Sequence, residues 1–391
     1  MRILYLTGWY PYPPDNGSKL RIYSLLTELA RRHSVTLVVL TECPVAETPT
    51  PLKELRGIIQ VPARGYRPLR PSALMGLLSP KPRMLVDTYQ PLMSRQIQQL
   101  LQSSDYQFLI ATEWITASYC AEVTGVPALF ENAEFGVFES RIKQASSPLR
   151  RLRYRLPLLK LGFYMRRLLP RFRACTVVSE AEKNLLRRLA PRYSPIEVIP
   201  NCIRVADYEG ISQPRRPNTL IFTGSLAYDA NYDAMNWFLR DVYPLVLEQV
   251  PDVHLVITGD HCGLPLPDGS QVTRTGAVGD VRPLIAESCV SIVPVRLGGG
   301  TRFKILEAMC MKTAVVSTSK GCEGLKVRPG EHLLVADTPG EFAAHTARLL
   351  QDQDLRETLT RNANRIVLEE YDSAVVGPRF CNLVEKLAAL P

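Results

Sequence analysis

VPVRLGGGTRFKILEAMCMKTAVVST, residues 293–318, is the stretch from which the chain is read. An apolar strand pattern runs into Gly298, Gly299, Gly300 and Thr301, and helical spacing follows through Phe303, Leu306, Met309 and Cys310. Strand, glycine turn and helix in that order present backbone N–H groups and a helix N-terminus, where a phosphate is stabilised. Arg302 and Lys304 in the same turn add formal positive charge. Glu307 follows in the helix, at a position suited to accept hydrogen bonds from ribose hydroxyls. Three glycines alone equally fit a plain loop with a solvated basic turn; strand, helix and bases together favour a nucleotide.

Outward from this segment, short apolar runs alternate with helical patterns, which argues for α/β units with parallel sheets. Upstream of it, TLIFTG (219–224), VHLVITG (253–259), VTRTG (272–276) and CVSIVPV (289–295) read as strands; TAVVST (313–318) and HLLVA (332–336) complete that series. An earlier series opens with ILYLTGW (3–9), the loop PYPPDNGS (11–18), a helix through Leu20, Tyr23, Leu26, Leu29 and Ala30, and VTLVVL (35–40). GIIQV (57–61), FLIAT (108–112), PALFE (127–131), ACTVVS (174–179) and IEVIP (196–200) continue it. Two doubly wound units are expected, with a linker near 201–217 and a cleft where the strand ends face each other.

Composition narrows the classes. At 391 residues, 46% apolar and 22% charged, the chain is a globular protein of two domains rather than disordered or fibrous. No run approaches the roughly 20 apolar residues of a membrane span, and the start reads as a buried strand, so a cytoplasmic protein is expected. Nine cysteines include no CxxC pair, and the five histidines do not cluster with carboxylates, so no metal site is expected. Residues 1–200 hold 28 Lys and Arg against 15 Asp and Glu, whereas residues 201–391 hold 19 against 23. The excess suggests an anionic partner for the first half. No RNA-binding signature, zinc-finger spacing or basic-helix pattern supports nucleic acid.

The motifs in order resemble the retaining glycosyltransferase family 4. They are Asn16-Gly17-Ser18 in the first loop, VVSEAEKNLL (177–186), VIPNCI (198–203), IFTGSL (221–226) and the glycine loop with Glu307. The resemblance implies the GT-B fold, two Rossmann-like domains with parallel sheets facing a central cleft. It implies an acceptor-binding domain over 1–203, a donor-nucleotide domain over 204–370, and a helix over 371–391 packing back on the first. It further implies hexosyl transfer from a nucleoside-diphosphate sugar to a saccharide or lipid-linked acceptor in polysaccharide or glycolipid assembly, with no metal or other cofactor. Donor contacts then fall to Gly17, Gly224, Ser225, His261, Val278, Gly298, Gly299, Gly300, Thr301 and Glu307, and Arg302 and Lys304 stabilise the leaving diphosphate.

Three departures matter. Members often carry an arginine and a lysine where this chain has Ser225 and Asn231, so Arg302 and Lys304 are expected to supply those charges instead. The first glutamate of a pair spaced eight apart is replaced by Gly299. Where a histidine is expected after PALFE, Glu131-Asn132 stands; Glu131, or Glu134, orients the acceptor, stabilises a cationic sugar, or is a structural carboxylate that caps the next helix. Glu113 after FLIAT is a further strand-end carboxylate. These departures keep two other readings open: a nucleotide-sugar epimerase of the same architecture, and a binding scaffold without catalysis.

From Pro148 to Arg173 there are nine Lys and Arg and no acid, interleaved with leucines. Such a stretch fits either an anionic membrane surface on the inner face, suiting a lipid-linked acceptor, or an ordinary helix that packs its leucines inward and is interrupted at Pro157 and Pro170.

Overall fold

The structure, a computed structural model, describes all residues except 15, 46–48, 50–51, 132–135, 137–146, 299–301 and 391. It divides into two units, Met1–Asn201 with Val376–Pro391, and Cys202–Val375. All thirteen expected strands are present, each within two residues of its expected ends or nearly so.

The first unit contains a seven-stranded sheet. Its strands are β1 (Arg2–Thr7), β2 (Ser34–Thr41), β3 (Gly57–Pro62), β4 (Phe108–Thr112), β5 (Ala128–Glu131), β6 (Ala174–Val177) and β7 (Ile196–Val198). They lie in the order β3-β2-β1-β4-β5-β6-β7, and every pair is parallel. Strands of a parallel sheet covered on both faces are buried throughout, as β4, β5 and β6 are. Helix α1 (Gly17–Arg32) follows β1: Asn16 caps it by accepting from the Lys19 amide, and Arg31 and Arg32 face the negative end of its dipole. The core gathers Leu4, Leu6, Leu109, Phe130, Met165 and Leu186. The C-terminal helix Ser373–Ala388 begins before Pro378, and its residues from Val376 onward belong to this unit. There Asn382 accepts from Arg32 at 3.0 Å, and Arg173 donates to the carbonyls of Leu387 and Leu390.

The basic helix runs without a break from Pro148 to Leu168, through Pro157. Proline there removes one backbone hydrogen bond, but residues 151–157 are all exposed, so water can satisfy the freed carbonyl. The helix ends where the Leu169–Arg171 turn carries Pro170.

The second unit contains six strands, β8 (Thr219–Thr223), β9 (His254–Thr258), β10 (Val272–Gly276), β11 (Val290–Val293), β12 (Ala314–Ser317) and β13 (Leu334–Val335). Their order is β10-β9-β8-β11-β12-β13, again parallel. Trp237 and Phe238 meet the Phe342 ring edge-on at 5.7 and 5.9 Å, locking two helices over the sheet. Each sheet therefore reverses its strand order once, at β1/β4 and at β8/β11. Chains leaving adjacent strands in opposite directions open a crevice beyond the carboxyl ends.

Candidate functional site

At the β8/β11 reversal in the second unit, Gly224 and Ser225 meet Lys304 through Asn231, and Gly298 meets Arg302. Gly224 ends β8 with φ +135°, and Gly259 ends β9 with φ +121°. Both conformations favour glycine. A Cβ on Gly259 would lie 2.5 Å from the Gly224 carbonyl carbon and oxygen, so the two turns are nested backbone to backbone. Next to them the Asn231 side-chain amide donates to the Ser225 carbonyl at 2.8 Å and accepts from Lys304 Nζ at 2.9 Å. The ammonium also sits 4.0 Å from the centre of the Phe222 ring. Lys304 thus reaches the very side chain that stands where a lysine was expected.

Arg302 precedes the helix Phe303–Cys310 and is 9% exposed. Its Nη2 donates to the Leu297 carbonyl at 2.8 Å, folding it across Gly298, while its buried Nε has no hydrogen-bond partner among the described residues. Gly298 has φ +88°, and a Cβ there would lie 2.5 Å from the Tyr228 hydroxyl and 3.2 Å from Arg302 Nη2. Burial, and then the neighbouring Arg302 guanidinium, push Lys304 down to about 7, with Glu307 opposing. Two basic side chains therefore stand side by side; among the described residues neither pairs with a carboxylate within 4 Å. Glu307 accepts instead from the Tyr208 hydroxyl at 3.1 Å, and burial raises its pKa. Arg282 stands near the same pair, its guanidinium 5.9 Å from the Tyr208 ring centre and held by Asp280.

His261 lies on the loop after β9, its buried Nε2 without a hydrogen-bond partner among the described residues, and Val278 is exposed after β10. Gly299, Gly300 and Thr301 fall outside the described residues. Sequence reasoning missed Asn231 as a ligand to Lys304, Tyr208 as a partner of Glu307 and Tyr228 over Gly298. The Asn231 and Tyr208 contacts span 73 and 99 residues, beyond any local pattern.

In the first unit, Gly17 lies in the first turn of α1, and Gly8 and Glu113 end β1 and β4. A Cβ on Gly8 would lie 3.5 Å from Glu113 Oε2, and Glu113 itself has φ +59°. Glu131 is fully buried. Its Oε1 takes Arg21 Nε at 2.7 Å and Nη2 at 2.6 Å, and Arg21 Nη1 donates to Asn201 at 3.0 Å. Glu131 therefore fastens α1 to the end of β5. The Thr176 side chain also hydrogen-bonds to Glu131, and the buried Tyr5 hydroxyl has no hydrogen-bond partner among the described residues. Burial is the main reason that both the Glu131 and Tyr5 pKa values rise. Glu134 lies outside the described residues.

Comparison with known proteins agrees with this architecture. Residues 16–202 match the family described as a glycosyl transferase 4-like domain, and residues 217–352 match glycosyl transferases group 1. The chain belongs to the GT4-type group 1 glycosyltransferase family. A Klebsiella pneumoniae protein described only as an uncharacterized 44.6 kDa protein in the cps region is 29% identical over 168 residues, 40% of this chain and 43% of its own length. Phosphatidyl-myo-inositol mannosyltransferase from Mycobacterium tuberculosis is 29% identical over 207 residues, 49% of this chain and 54% of its own. The chain thus spans about half the length of the curated relatives it matches. Among solved structures, sucrose-phosphate synthase from Thermosynechococcus elongatus superposes with a TM-score of 0.73 at 17% identity, covering 100% of both chains. Anabaena HepE in complex with UDP-glucose gives 0.64 at 13%, covering 99% and 100%. At these identities the likeness establishes the GT-B fold.

Proposed function

We propose that the chain is a retaining, metal-independent glycosyltransferase. It moves a hexosyl group from a nucleoside-diphosphate sugar to a saccharide or lipid-linked acceptor in surface polysaccharide or glycolipid assembly. The observation that carries this reading is the pair of adjacent cations, Arg302 and Lys304, at the β8/β11 reversal with no carboxylate paired to either among the described residues. A buried amine held down to about 7 beside a guanidinium gains its charge when an anion arrives, and a diphosphate supplies that anion. HepE, whose structures hold UDP and UDP-glucose, and the mannosyltransferase relative lend support for the substrate class. The cps region of the Klebsiella relative favours polysaccharide assembly.

In this reading the bond from the sugar's anomeric carbon to the diphosphate breaks, and the acceptor hydroxyl oxygen replaces it on the same face, its proton passing to the oxygen of the departing diphosphate. Charge grows on the leaving phosphate as that bond lengthens. Arg302 and Lys304, already in place, stabilise it without reorganising. The remaining carboxylate oxygen of Glu307 accepts from the ribose, and Gly17 lets the α1 N-terminus approach the donor. Glu131 acts as a positioning residue through Arg21. Arg302→Ala and Lys304→Ala are each expected to lower turnover by roughly 10²-fold or more. Wild-type rates from both variants would overturn this mechanism. Formation of an epimer from donor alone, with no acceptor, would assign the other reaction class.

A further inference from the structure

The basic helix Pro148–Leu168 has two apolar stripes, and among the described residues only one of them is buried. Leu161, Tyr164, Met165 and Leu168 are buried in the first unit's core. Leu152, Leu156, Leu159 and Phe163 are exposed, Leu159 by 67%. Their spacing is i, i+4, i+7 and i+11, so at about 100° per residue they fall within about 60° of one another, on the side opposite the buried set. Arg151, Arg155 and Arg166 flank that stripe on one side, and Arg153, Lys160 and Arg167 on the other. Arg167 lies over the Phe163 ring at 4.3 Å.

A second element extends the surface. Lys160 Nζ donates to the Gly76 carbonyl at 2.6 Å and to the Leu77 carbonyl at 3.3 Å, holding that segment beside the stripe. The segment is itself built: Arg83 donates to the Ala73 and Pro68 carbonyls, and buried Asp87 takes Arg70 and the Arg67 amide. Yet it presents Leu69, Leu77 and Leu78 outward, Leu78 by 95%. Leucines held by an ordered scaffold in water, rimmed by bases, form a large exposed apolar patch of the kind that marks an interaction site.

We propose that this two-element surface docks on an anionic lipid bilayer, the leucines entering the headgroup boundary and the arginines reaching lipid phosphates. Charge complementarity selects this occupant, since no acid occurs from Pro148 to Arg173. Nucleic acid would answer the bases and leave the leucines in water; a bilayer interface answers both. No helix among the described residues is long and apolar enough to cross a membrane, so this is contact from one side. The inference is independent of the transfer reaction, because its test reads binding alone.

The full chain is mixed with phosphatidylcholine vesicles, with or without phosphatidylglycerol, and sedimented. It is expected to pellet with the anionic vesicles and to remain in solution with the neutral ones. The triple variant Leu156→Ser/Leu159→Ser/Phe163→Ser changes only exposed side chains and should keep its melting temperature, while partitioning at least tenfold less well. Each flanking arginine changed to glutamine should lower partitioning by roughly fivefold. The proposal fails if the wild type stays in solution with anionic vesicles, or if the triple variant binds as well as wild type, which would leave a purely ionic surface open to nucleic acid. It also fails if the wild type self-associates without lipid and the triple variant does not, since the stripe would then be an interface between copies of the chain.

Discussion

Raising the pH from 7 to 9 is expected to weaken sugar-nucleotide binding by about 50-fold at most. Lys304 is the group responsible. Packed against Phe222, Asn231 and Gly224, with Arg302 beside it and only Glu307 opposing, it titrates at about 7 in the ligand-free protein. A bound diphosphate favours the charged amine and returns it toward its ordinary value of about 10.4. Binding therefore takes up a proton. Affinity is full below about pH 7 and falls roughly tenfold per unit above it, until the bound-state value is reached. A sugar nucleotide is the right probe, because both its phosphates are substituted and carry no proton titrating near pH 6, as a terminal phosphate does. Isothermal calorimetry in buffers of different ionisation enthalpy should register uptake of about half a proton at pH 7. An affinity constant to within twofold across this range, with no proton uptake, would refute the reasoning. So would a Lys304→Met variant that kept the wild-type slope.

Three further outcomes follow from the geometry. Gly259→Ala would force a Cβ to 2.5 Å from the Gly224 backbone at a φ of +121°; a stability loss of about 1–3 kcal/mol is expected in chemical denaturation, with weaker donor binding, and an unchanged midpoint and affinity would count against the nested turns. Arg21→Met leaves Glu131 buried without its partner and should cost about 3–5 kcal/mol, whereas Arg21→Met/Glu131→Leu should cost clearly less; equal losses would show that the pair is not the source. Asn231→Ala removes both the acceptor for Lys304 and the donor to Ser225, and titration with a sugar nucleotide should show affinity about tenfold lower; undiminished affinity would mean that Lys304 needs no such support.

The sheets were legible because parallel strands buried on both faces leave continuous apolar runs such as FLIAT and TLIFT. The glycine turns at the candidate site of the second unit were legible in part, since φ near +90° or beyond marks turns that other residues strain to adopt. Distant pairings were not. Nothing local to Glu131 announces Arg21, which lies 110 residues earlier, so its carboxylate suggested acceptor or cap roles before the ion pair was visible. The basic helix misled differently: leucines on its buried and exposed sides share one spacing rule, and composition cannot say which stripe the core takes. Pro157 misled as well, because an exposed proline interrupts a helix's bonding without ending it.

Asn231 holds Lys304 by an interaction that does not depend on charge. An amine keeps N–H donors after deprotonation, so the contact to the Asn231 oxygen survives the loss of the proton. The nitrogen can thus be uncharged while the site is empty and still wait at its post, sparing the fold a second permanent cation beside Arg302. Electrostatic attraction would then arrive together with the ligand that requires it, and leave with the departing product.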